Sequence, residues 1–308
     1  MEPVTADPLI DAVLTPPRPC PSIGAQAVPR RTLSAAPLPM PPMARLEVRA
    51  LYRYPLKSAA AEACAALDIE PRGAAHDRRW MLIDGNGRFV TGRQLGRLVR
   101  VQATPLPGGL RLALDGTSID VEYPAADGAR IEVEVWGDRV AALAAAADAQ
   151  VWLGRCVGEG LRLVHMDAAA RRPVDPRWAQ PGDEVSFADG YPLLLLSQAA
   201  LDQLSAEVGE AIDARRFRPN IVVDGCAAHA EDGWRRIVID GVEFDVVKPC
   251  TRCVFTTVDP DSGERHPRGE PLATLKRYRR GAAGVQFGVN LIPRGSGFIR
   301  CRAAVELG

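Results

Sequence analysis

Val247-Lys248-Pro249-Cys250-Thr251-Arg252-Cys253-Val254-Phe255-Thr256-Thr257-Val258-Asp259-Pro260-Asp261-Ser262-Gly263 puts two thiols and an arginine in one tight turn. A thiolate is a soft ligand and suits a thiophilic metal. A guanidinium at Arg252 favours the thiolate form of the adjoining Cys253. The plainer reading is a pair of small apolar residues, Cys250 and Cys253, capping a strand. A structural zinc site needs four ligands, usually two such pairs. Cys20, Cys64, Cys156, Cys226 and Cys301 form no second pair. A thioredoxin-like motif would open a helix, whereas Val254-Phe255-Thr256-Thr257-Val258 predicts a strand. Haem attachment would need histidine where Val254 stands. Asp259-Pro260-Asp261-Ser262-Gly263 reads as a turn before it reads as an acid–base pair.

Outward from this stretch the composition is that of an ordinary globular protein. The chain has 308 residues, 47% hydrophobic and 25% charged, enough for a large core or two domains. Lys+Arg and Asp+Glu both number 38, so net charge argues for neither nucleic acid nor an anionic membrane. Seven cysteines at irregular spacing suit a reducing compartment, and the cytoplasm is the expected location. No run of about 20 apolar residues is present, so no membrane span is expected. Residues 1–42 carry Pro-Pro-Arg-Pro-Cys-Pro and Pro-Leu-Pro-Met-Pro-Pro and lack the apolar region of a signal peptide. They read as disordered, with Met43 a candidate start of translation.

From Arg45 the pattern is β. Leu46–Tyr52 alternates, residues 78–92 predict a hairpin about Asp84-Gly85-Asn86-Gly87, and short strands are expected at 98–103, 110–114, 119–123 and 131–136. The Ala-rich stretch 140–153 predicts a helix, followed by a strand at 161–165. Leu193-Leu194-Leu195-Leu196 reads as a buried strand, with Ser197 capping a helix striped by Leu201, Leu204 and Val208. Strands are expected at 221–223, 237–239 and 242–247, a helix at 271–280 and a final strand at 285–291. Two β-rich halves joined near residues 137–180 are the expected architecture.

Three further groups could hold an anion. Lys57-Ser58 offers an ammonium and a hydroxyl, Arg78 lies in a basic run, and Arg218 and Asn220 flank Pro219 ahead of an apolar strand. Taken alone, the charged residues read equally as surface salt bridges and the Arg-Pro-Asn stretch as a strand-entry turn. His76, His165, His229 and His266 lack metal-ligand spacing and read as surface or structural. No Gly-x-Gly-x-x-Gly or Walker motif is present.

The Cys250-Thr251-Arg252-Cys253-Val254-Phe255-Thr256-Thr257-Val258-Asp259-Pro260-Asp261-Ser262-Gly263 run resembles the signature of MOSC-domain proteins, and within them the amidoxime-reducing components and their bacterial relatives. The resemblance runs from about Met43 to the end. It implies a β-rich α+β fold. An N-terminal β-barrel region (43–136) and a connecting region (137–180) would precede a MOSC β-barrel core with flanking helices (181–308). It implies a molybdenum cofactor, with Cys253 as the protein ligand of the metal. It places Lys57, Ser58 and Arg78 at the molybdopterin phosphate, Arg218 and Asn220 at the pterin, and Thr251 and Arg252 beside the cofactor. The implied activity is two-electron reduction of small N-hydroxylated compounds (amidoximes, N-hydroxy bases). No ferredoxin cysteine spacing or haem motif is present. Electrons are therefore expected from a separate ferredoxin-like or haem protein with its NAD(P)H reductase. Two alternatives stay open: a sulfur carrier using a Cys253 persulfide, and a non-catalytic module that stores or delivers the cofactor. Pyridoxal phosphate is not expected, because no lysine stands out as a Schiff-base former.

Overall fold

The computed structural model describes residues 45–308, so the expected disordered segment 1–42 lies outside the described residues. The largest sheet has nine strands. Across it run Val305–Leu307, Arg236–Ile239, Val242–Thr251, Gly284–Pro293, Leu193–Ser197, Ile221–Asp224, Glu47–Arg53 and Glu62–Cys64, with Arg280–Gly281 paired to Gly284–Pro293. A four-stranded sheet follows the order Trp80–Ile83, Arg162–His165, Asp138–Ala144, Arg130–Val135. Gln102–Leu106, Gly109–Leu114 and Thr117–Glu122 form a separate three-stranded meander. The fold is β-rich α+β, as expected.

The strand Glu47–Arg53 pairs antiparallel with Ile221–Asp224, Leu51 facing Ile221. The first described strand therefore belongs to the sheet built by the second half of the sequence, and the two halves share a sheet. Leu193–Ser197 lies near the middle of it, and all five residues are buried, as a strand covered on both faces must be. Ser197 then caps the helix Gln198–Val208, its hydroxyl accepting the Ala200 N–H at 3.3 Å. Gly209 ends that helix in the left-handed conformation, φ 84°. The core beneath this sheet joins Val48, Leu51, Leu195, Ile221, Phe244 and Leu291. A second core joins Leu82, Leu98, Leu112, Leu153 and Leu163.

Several elements differ from expectation. Val254–Thr257 is a 3-10 turn and not a strand. The Thr256 and Thr257 hydroxyls donate to the carbonyls of Cys253 and Val254 at 3.0 and 2.8 Å. These local bonds tighten the turn and outweigh the β propensity of the threonines. The preceding strand is longer than expected and carries Pro249, Cys250 and Thr251. Residues 140–153 are not one helix: Asp138–Ala144 is a strand and Ala147–Cys156 the helix. Val140 and Ala142 are buried in that strand, and such packing overrides even the high helix propensity of the alanines. Gly96–Val99 is a short helical turn, so the expected strand at 98–103 begins only at Gln102. Two short strands, Gly297–Arg300 and Val305–Leu307, follow the one expected to be last.

Candidate functional site

Lys57, Ser58, Arg78, Arg218, Asn220, Thr251, Arg252 and Cys253 come from four separate segments, and all line one cleft of about 250 Å³. Seven basic side chains (Lys57, Arg78, Arg93, Arg216, Arg218, Lys248 and Arg252) line it against a single acid, Asp189. In a chain of formal net charge zero this gathers positive potential in one concave place, which draws anions.

The cations differ in what already holds them. Lys57 is buried, and its Nζ donates to the Phe187 carbonyl at 2.7 Å and to Asp189 Oδ1 at 2.6 Å. Burial pushes its pKa down to about 8 in spite of Asp189. The surrounding wall opposes ionisation of Asp189, whose side chain still reaches solvent, but the charge and hydrogen bond of Lys57 and the Trp136 N–H hold its carboxyl well below the usual range. Arg172 fixes this loop from behind, donating to the carbonyls of Ser186 and Ala188 at 2.8 and 2.5 Å.

Arg78 Nη1 donates to the buried Asp77 carboxylate at 2.5 Å and to Asn220 Oδ1 at 3.1 Å. Arg218 is the exception. Its Nη1 donates to the Ala59 carbonyl at 2.7 Å, while Nη2 is buried without a partner. Burial, then the charge of Arg78, pushes the Arg218 guanidinium down to about 10. An unpartnered buried donor on a cation is costly, which sets Arg218 apart from Lys57 and Arg78.

Three of these residues also have strained backbones, as do six other non-glycine residues among those described. Ser58, Arg78 and Arg218 are non-glycine residues in the left-handed region, with φ of 67°, 48° and 57°. Each such residue costs about 1 kcal/mol or more and persists where the surroundings dictate it.

Asn220 and Arg252 serve mainly as scaffold. Asn220 Oδ1 also accepts the Leu194 N–H at 3.2 Å, and its Nδ2 donates to the Tyr52 carbonyl at 3.2 Å. Arg252 donates through Nε and Nη2 to the Phe287 carbonyl at 2.8 and 2.6 Å, and through Nη1 to the Phe217 carbonyl at 3.0 Å. Its fork is thus turned to the backbone and holds the turn that carries Arg218. Gly288 makes room for this, since a Cβ there would lie 2.6 Å from the Leu195 carbonyl oxygen. Cys253 is exposed at the start of the 3-10 turn. Cys250 is further in, and burial raises its thiol pKa although Arg252 opposes this. Of the two thiols, Cys253 is the more exposed.

Comparison with known proteins adds the family. The chain matches the MOSC N-terminal beta barrel domain over residues 45–160 and the MOSC domain over residues 182–306. It is 36% identical over 245 residues to mitochondrial amidoxime-reducing component 1 of Mus musculus, covering 75% of this chain and 71% of that one. The Homo sapiens counterpart is 34% identical over 246 residues, covering 76% and 72%. That of Danio rerio is 35% identical over 244 residues, covering 75% and 74%. The chain belongs to the MOSC-domain family that includes the amidoxime-reducing components.

Sequence reasoning missed several residues that shape the cleft of this MOSC-domain protein. Asp189 sits in a loop with no motif, and Asp77 and Tyr54 act from beneath. Trp136 had a legible signal. It occupies, with Gly137, the two-residue turn between Arg130–Val135 and Asp138–Ala144, both at positive φ (56° and 93°). Such a turn prefers Asn, Asp or Gly first, so a tryptophan there is an anomaly. Of the histidines, His165 is packed against Trp80 and Tyr123, ring centroids 4.5 and 5.0 Å away, which is a structural role. Among the described residues no helix is long and apolar enough to cross a membrane.

Proposed function

We propose that this chain is a molybdenum-cofactor-dependent reductase that removes oxygen from N-hydroxylated compounds such as amidoximes and N-hydroxy bases. The observation that carries this reading is the meeting of an exposed thiol, Cys253, with the partnerless Arg218 Nη2 in one basic cleft. The donor set suits such a cofactor. Among the described residues no three His, Cys, Asp or Glu side chains cluster to hold a metal alone. A single soft thiolate at Cys253 suits a metal whose other ligands arrive with it. Lys57, Arg78 and the Ser58 hydroxyl offer charge and hydrogen bonds to a phosphate, and Arg218 offers its charge to the adjoining pterin. Thr251 and Arg252 border the same space, and Asn220 keeps Arg78 in place.

When bound, the cofactor supplies the two-electron redox chemistry. An amidoxime takes up two electrons and two protons and gives the amidine and water. The protein's part is to fix the metal's position through Cys253 and to hold the anionic cofactor with Lys57, Ser58, Arg78 and Arg218. The relatives' names call them components, which supports a separate donor: a ferredoxin-like or haem protein with its NAD(P)H reductase. The described cysteines are all free thiols, which suits a reducing compartment such as the cytoplasm, although the relatives' names place those proteins in mitochondria.

The test is metal and pterin analysis of the protein purified from a host that makes the cofactor, joined to an amidoxime reduction assay. Molybdenum and pterin in equal amounts with turnover is the expected result. Folded protein with neither would contradict it. Cofactor without turnover would favour a delivery module, and activity in sulfur transfer without metal would favour a persulfide carrier.

A further inference from the structure

Trp136 is built into the cleft wall at a cost. Its left-handed backbone, φ 56°, is one that a bulky residue rarely adopts. The indole is then held on several sides. Its Nε1 donates to Asp189 Oδ1 at 3.1 Å, the same oxygen that accepts Lys57 Nζ. The Arg93 guanidinium carbon lies 4.8 Å from the ring centroid, and Phe89 packs at 5.0 Å with its ring inclined by 58°. Despite these restraints Trp136 remains 51% exposed. A large aromatic side chain that is both fixed and open loses little entropy when a ligand stacks on it. Three other aromatic side chains line the cleft, but Phe217 is buried and Tyr191 and Phe255 are half-buried, so the indole is the most open aromatic surface there.

We propose that Trp136 is a specificity-determining residue, whose indole forms a stacking platform for planar conjugated substrates in the cleft. This rests on the reductase reading for the substrate's N-hydroxyl group and adds what the rest of the molecule must look like. Conjugated amidoximes gain contact with the indole, and small aliphatic ones do not. The Asp189 bond sets the angle of the ring, so Asp189 is a positioning residue for Trp136.

The experiment measures binding of benzamidoxime and acetamidoxime by calorimetry to oxidised holoprotein without reductant, so that no turnover occurs. Wild type, Trp136→Ala and Trp136→Phe are compared, with molybdenum content measured in each. The wild type is expected to prefer benzamidoxime. Trp136→Ala should lower that preference about tenfold, or about 1.4 kcal/mol, and Trp136→Phe should keep most of it. An unchanged preference in Trp136→Ala overturns the proposal, as does an equal loss in Trp136→Phe, which would assign the effect to the N–H alone. Loss of molybdenum from both variants overturns it too, because the indole would then serve the cofactor. No preference in the wild type has the same force. Adding reductant afterwards tests the reductase reading separately. Binding that follows Trp136 with no reduction of either compound would leave the platform standing and sink the reductase.

Discussion

Arg78 and Arg218 are held against each other: Arg78 Nη2 donates to the Arg218 carbonyl at 3.0 Å, and both guanidinium carbons lie over the Tyr54 ring, at 4.3 and 4.1 Å. Two like charges this close are unfavourable unless something neutralises them. Asp77 serves Arg78, and Arg218 is left with a ring face and one carbonyl. The pair therefore carries charge that its own neighbours do not fully neutralise.

That arrangement sets the first expectation. Arg218→Met keeps length and apolar bulk and removes the charge. The ligand-free protein should melt within a few degrees of wild type, since relief of repulsion offsets the lost hydrogen bond. Retained pterin should fall by about tenfold or more, as a charge-assisted hydrogen bond is worth roughly 1.5–3 kcal/mol. Thermal melting and pterin analysis check both halves. A large drop in the melting point with pterin retained would make Arg218 structural.

Arg252→Lys should behave differently. An ammonium can keep at most part of the three donations to Phe217 and Phe287. Leaving a carbonyl without its donor costs about 1–3 kcal/mol, so the ligand-free variant should melt lower, and pterin content should fall with it. If Arg252 instead served only a phosphate, the ligand-free melting point would not move.

The Lys57 ammonium gives a pH dependence. Burial holds it at about 8 in the ligand-free protein, below its ordinary 10.5. As pH rises through about 8 the lysine loses its proton, so affinity for an anionic cofactor should decline above that pH. The stability contribution has the opposite sign, because the unfolded chain keeps the proton up to 10.5 and the fold is relieved of a buried charge between those values. Pterin retention measured across this range should show the decline in wild type and lack that step in Lys57→Met, which starts with weaker binding.

His165 gives a second pH dependence, of stability alone. Burial, then the charge of Arg79, pushes its pKa from 6.5 to about 4. Below 6.5 the unfolded chain binds a proton that the folded chain refuses until about 4. Stability should therefore fall as pH drops through this window, by up to roughly 3 kcal/mol from this group. Urea unfolding at neutral and acid pH should show a smaller acid loss in His165→Phe. An equal loss in the variant would assign acid sensitivity elsewhere.

The Leu193–Leu196 strand and the Ser197 cap were legible because each is set by near neighbours in sequence. The candidate cations could be named only through the family resemblance, and their states could not be named at all. Whether Lys57 is paired, Arg78 neutralised or Arg218 left open depends on Asp189 and Asp77 across the fold. Arg252 shows the limit most clearly: its chemistry suits a phosphate, yet the sheet places two carbonyls within its reach. The 3-10 turn after Cys253 was misread because threonine side chains can satisfy either a strand or a local turn.

The central claim is that Cys253 is the protein's ligand to molybdenum. X-ray absorption at the molybdenum edge, on wild type and Cys253→Ser, tests it most directly, since a hydroxyl replaces a soft anionic sulfur. The wild type should show one more sulfur scatterer than the variant, with pterin partly retained in the variant through Arg218. Identical metal coordination in the two proteins would contradict it and return the turn to a structural role.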